Sequence, residues 1–96
     1  MSLSKNKNIG KIRKKLDSLD NKLLVLIKKR TNLVKIILQN KTSKSQIVDR
    51  KRIGVILKNI KRKSIKKKID PKLTNSIWKG MLKGYIDFEY RKFKKK

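Results

Sequence analysis

The chain has 96 residues, 36% of them hydrophobic, and carries 31 Lys and Arg against 6 Asp and Glu, a formal net charge of +25. A chain this short forms one domain at most, with a modest core that a second copy would enlarge. Cysteine and histidine are both absent, which excludes disulfides, thiolate metal sites and an imidazole general base. No apolar run approaches the ~18 residues of a membrane span and no signal-peptide core is visible, so a cytoplasmic protein with no membrane partner, metal or cofactor is expected. The charge itself points towards nucleic acid as a non-specific partner. A lysine-rich bias of the kind an AT-rich genome produces accounts for it equally well, because the basic residues are spread over every segment and are not interleaved with aromatics.

In chain order, residues 1–6 read as a disordered basic tail. From residue 7 to about Asn40 the spacing predicts one uninterrupted helix, since Ile9, Ile12, Leu16, Leu19, Leu23 and Leu26 recur every three or four residues and the stripe resumes at Leu33 and Ile37. Some thirty residues at 1.5 Å each make a rod of roughly 50 Å, too long for the rest of the chain to cover. Its apolar stripe therefore predicts packing against a second copy. Arg30 interrupts that stripe. A guanidinium in an apolar seam keeps its charge and needs an anion, an internal carboxylate or a wet cavity, which makes Arg30 a candidate anion-binding residue.

Lys41 to Ile47, with Thr42, Ser43 and Ser45, reads as a short polar loop, and Asp49 as the N-cap of a second helix. That helix presents Ile53, Ile56, Leu57 and Ile60 on one face and is expected to dissolve into a poorly structured lysine-rich connection over Ser64 to Lys68. The connection is a solvated surface and the best candidate for a phosphate-backbone contact. Asp70-Pro71 starts a third helix, which runs to about Lys92. Leu73, Ile77, Met81, Leu82 and Ile86 supply its expected core face, and Trp78, Leu82, Tyr85, Glu89 and Phe93 form an adjoining stripe. Glu89 is the one glutamate of the chain, and is either the structural partner of a buried arginine or part of a polar site. Residues 94–96 close the chain as a basic tail, leaving an all-α domain over 7–93. There is no internal repeat, P-loop, dinucleotide-binding glycine pattern, nucleophile elbow or metal motif.

Three helices in the order long, short, medium, together with IRKKLDSLDNKLLVLIKKR over residues 12–30, resemble the all-helical class of chorismate mutases, and the likeness runs over about residues 9–92. Arg13, Asp17, Asp20, Leu23, Leu24 and Arg30 match the pattern of that family's first helix. Lys41, eleven residues on, falls on its catalytic lysine, Asp49 and Arg52 on the start of its second helix, and Glu89 on its active-site Gln or Glu. Lysine matches are cheap in so basic a chain, so the scarce residues carry the weight. Three of the six arginines and the sole glutamate fall on family positions.

The resemblance implies an intertwined helical homodimer with shared active sites that rearranges chorismate to prephenate, an isomerase of aromatic amino-acid biosynthesis on the shikimate pathway that uses no cofactor. Arg13, reaching in from the partner subunit, and Arg30 would hold the carboxylates of the dianionic substrate, Lys41 and Glu89 its ether oxygen, and Asp49 and Arg52 would complete the pocket. Two departures point to a weakened enzyme. Ile53 replaces a glutamate that bonds the substrate hydroxyl, a loss of ~0.5–1.5 kcal/mol, and Tyr85 stands where a small serine near a substrate carboxylate is common, narrowing the pocket while offering its phenol as a substitute substrate-binding donor. The rival expectation is the same fold reused as a basic nucleic-acid-binding or compacting protein. A related lyase acting on isochorismate shares the pocket chemistry.

Overall fold

The computed structural model describes residues 3–94, with side chains described from Lys7 onwards. Among these residues all the regular structure is helical: α1 spans Leu3–Gln39, α2 Arg50–Lys66 and α3 Pro71–Lys92, with a single 3-10 turn at Lys44–Gln46. The all-α, three-helix expectation holds. None of the described helices is long and apolar enough to cross a membrane. Residues 1, 2, 95 and 96, which belong to the two expected basic tails, lie outside the described residues.

The chain divides into two units, Met1–Val34 and Lys35–Lys96. The described part of the first unit, from Leu3 on, is a stretch of α1, helical throughout because no proline or β-branched run interrupts it. Its large apolar side chains from Ile9 to Leu33 are between 36% and 64% exposed, so the seam legible in the sequence is open to solvent in a single copy.

The second unit is organised by the packing of α2 on α3. α2 starts where Asp49, in an extended conformation, accepts a 2.9 Å hydrogen bond on its side chain from the Arg52 amide. α3 starts in the same manner, with Asp70 accepting from the Lys72 amide at 2.9 Å and Pro71 in the first turn, where its missing N–H costs nothing. The inner face of α2 is Ile53, Ile56, Leu57 and Ile60, all half-buried as expected.

Two expectations are corrected. Ser64 to Lys68 is not a poorly structured connection: α2 continues to Lys66, and Ser64 is 4% exposed inside it. The Ser64 hydroxyl donates to the Ile60 carbonyl at 2.6 Å and lies 2.7 Å from the Thr74 hydroxyl of α3, which in turn reaches the Pro71 carbonyl at 3.3 Å. Small hydroxyl residues let the two helices approach closely while every buried polar atom finds a partner, and the surrounding lysines stay in water. Leu73 and Ile77, expected in the core of α3, are instead more than half exposed. The buried stripe of α3 runs through Thr74, Trp78, Leu82, Tyr85 and Glu89.

The chain reverses between α2 and α3 in a Schellman closure. The Ile69 amide returns to the Ser64 carbonyl at 2.9 Å and the Lys68 amide to the Ile65 carbonyl at 3.1 Å, with Lys68 at φ 59. That left-handed backbone costs a residue with a β-carbon about 1–2 kcal/mol, whereas glycine loses about 0.5–1 kcal/mol on ordering. Lys68→Gly is therefore expected to raise stability by ~0.5–1 kcal/mol in urea unfolding at fixed protein concentration. A destabilised variant would show that the closure does not carry that strain.

Candidate functional site

The centre of the site is the residue that follows the last turn of α1. That turn tightens as the Asn40 amide bonds the Ile37 carbonyl at 3.0 Å and the Lys41 amide the Leu38 carbonyl at 3.1 Å, and the Asn40 side chain closes the end on Ile36 at 2.9 Å. Beyond Lys41 the loop is held by one side chain. Gln46 Oε1 accepts from the Thr42 amide at 2.6 Å and the Ser43 amide at 3.3 Å, and Ile47, 3% exposed, anchors the loop's end. Lys41 is thus fixed from both sides.

Its Nζ donates to Glu89 Oε1 at 2.8 Å across 48 residues of sequence, the side chains being 17% and 9% exposed. An ammonium and a carboxyl group side by side and largely out of water make a polar pair whose interaction is strengthened by the low local dielectric. Lys41 also lines an open concavity of about 790 Å³ together with Ile37, Asn40, Gln46, Val48 and Asp49.

The other expected residues take the following places. Asp49 borders the concavity, one of its oxygens committed to the α2 cap. Arg52 is exposed on the first turn of α2. Tyr85 is half-buried one turn before Glu89 and meets Phe88 edge-on, ring centres 6.5 Å apart at 89°. Ile53 is half-buried on the inner face of α2. In the Met1–Val34 unit Arg13 is exposed and Arg30 half-buried, and on one continuous helix at 1.5 Å per residue they lie ~25 Å apart. Gln46, which orders the loop, was not singled out from the sequence, although Ser43-x-x-Gln46 has the spacing of a capping box and was the available signal.

A family model described as chorismate mutase type II matches residues 12–90. The chain belongs to that family. No curated protein and no solved structure matches it. The matched stretch includes every position from Arg13 to Glu89 discussed above, so the Lys41–Glu89 contact is a feature of the chorismate mutase type II domain of this chain and not of an appended segment.

Lys41→Met would leave the Glu89 carboxylate largely buried without its donor, which is expected to cost ~1–3 kcal/mol. Lys41→Met combined with Glu89→Gln should recover a substantial part of that loss, giving a coupling energy near 1 kcal/mol or more in a double-mutant cycle. Additivity of the two single changes would mean that the pair is screened by water.

Proposed function

We propose that the protein is a chorismate mutase, converting chorismate to prephenate in aromatic amino-acid biosynthesis, and that it works as an intertwined homodimer with shared active sites. The observation that carries this reading is the 2.8 Å contact of Lys41 with Glu89, which joins two distant residues that the family resemblance assigns to the substrate's ether oxygen. The reaction moves six electrons around a ring, breaking the C–O bond as a C–C bond forms, and no proton, nucleophile or leaving group is required. A chain without histidine or cysteine is suited to it.

Catalysis of this kind consists of holding the substrate folded and stabilising the charge that grows on the ether oxygen. Lys41 supplies the cation, and Glu89, in contact with it, is the second polar group at the ether oxygen. Arg30 and Arg13 bind the carboxylates. Because those two arginines are ~25 Å apart on a single helix, one small dianion is reached by both only when Arg13 comes from the partner subunit. The open apolar seam of α1 supports the same assembly. Asp49 borders the concavity and Arg52 stands exposed on the first turn of α2, and Ile53, an alkyl group where a hydroxyl acceptor is wanted, weakens binding without touching the bond-making atoms.

Purified protein is expected to consume chorismate, followed by its ultraviolet absorbance, and to form prephenate. Arg30→Ala should lower kcat/KM by ~10- to 100-fold, the range for one hydrogen bond to a charged group, with helicity retained. Consumption of isochorismate with chorismate untouched would reassign the reaction, and a stabilised Arg30→Ala variant with full turnover would remove Arg30 from the site.

Sedimentation at micromolar concentration should give twice the monomer mass, and a folded monomer there would refute the shared site.

A further inference from the structure

The structure gives the lysine excess a place. Residues 50–69 hold ten Lys and Arg and no Asp or Glu, and the helix containing most of them is fixed in rotation, because Ile53, Ile56, Leu57 and Ile60 are turned inwards. The opposite face of α2 then presents Lys51, Lys58, Arg62 and Lys66, all exposed, along ~22 Å of helix. Asp49 and Asp70, the acids flanking this segment, each bind a backbone amide in a cap. Beside the stripe, a groove of about 580 Å³ between α2 and α3 is lined by Lys58, Lys61 and Lys72 over a floor of Leu57 and Pro71. We propose that this face of α2, with the adjoining groove, binds the phosphate backbone of double-stranded nucleic acid without reading its sequence.

The choice of occupant follows from what α2 lacks. A basic helix that lies in a membrane surface inserts an apolar face opposite its charges, and in α2 that face is already packed on α3. A single-strand platform stacks bases on aromatic rings, and α2 contains none. What remains is a rigid, acid-free row of cations. Along ~22 Å one strand of a duplex offers about six phosphates, and neutralising four or five of them gives a slope of log K against log salt of roughly −3.6 to −4.5. This surface is separate from the proposed pocket and stands whether or not chorismate is turned over.

The test titrates the full chain into a labelled 24-base-pair DNA duplex across a salt series, reading anisotropy. The variant K58Q/R62Q/K66Q should lose at least ten-fold in affinity at low salt and flatten the slope by about 3. An α1 control of equal charge, K14Q/K22Q/K29Q, should change the slope by less than about 1. Both variants should keep wild-type helicity, and the α2 variant should keep wild-type chorismate turnover, if turnover is present. Equal losses in the two variants would mean diffuse charge and overturn the proposal. Binding of a single-stranded oligonucleotide as tightly as the duplex, or of phosphatidylserine vesicles in place of it, would overturn it as well.

Discussion

The apolar seam of α1 is the constraint from which the rest of the structure follows. In a single copy, only Leu38 and Ile47 among the described apolar residues are buried, while the other large apolar residues along the α1 seam from Ile9 to Ile37 stand about half exposed. Full burial of such a side chain stabilises by about 1.5–3 kcal/mol, so covering the exposed half contributes roughly 1 kcal/mol each. Over a seam of eight residues the sum is comparable with the whole stability of a typical domain. On the homodimer reading, folding and assembly become one equilibrium, and the stability of this chain depends on its concentration.

The same constraint explains why the buried ion pair is built at the end of α1 and not along it. A long apolar face leaves little room for a buried carboxylate, and the one that is buried, Glu89, sits in the second unit and is met by Lys41 from the loop that follows the helix. Burying an ion pair is weak support for stability, because the desolvation of two charges offsets their attraction. On the proposed function, the pair is a site held ready for a polar ligand. Gln46 and Ile47 matter for the same reason: they remove the freedom of the loop, so the ammonium is in position before any ligand arrives.

What could be read from the sequence was local. Asp49 and Asp70-Pro71 announced the starts of α2 and α3 through capping chemistry that acts within three residues, and the three-to-four spacing announced α1. What could not be read depended on the partner element. Ser64 among lysines looks like the end of a helix, and only the Thr74 hydroxyl at 2.7 Å turns it into a helix contact. Leu73 and Ile77 have helical spacing as good as that of Trp78 and Leu82, and nothing local says which of two adjacent stripes meets α2. For the site, the pairing of Lys41 with Glu89 was legible through the family pattern, whereas the role of Gln46 required the loop's own geometry.

Ile53 shows how the two halves of the problem meet. At the position where the resembling enzymes carry a glutamate, this chain places an isoleucine that is half-buried with Ile56, Leu57 and Ile60 on the inner face of α2. The hydrogen bond given up is worth ~0.5–1.5 kcal/mol, and the burial of roughly half an isoleucine side chain stabilises by a similar amount. A carboxylate there would have to be drawn partly out of water on a face that is otherwise hydrocarbon. The substitution therefore moves free energy from ligand recognition into the α2–α3 packing. It leaves untouched Lys41 and Glu89, the groups proposed to act on the reacting oxygen, so on that proposal the change weakens the hold on a substrate more than it alters the chemistry at the bond.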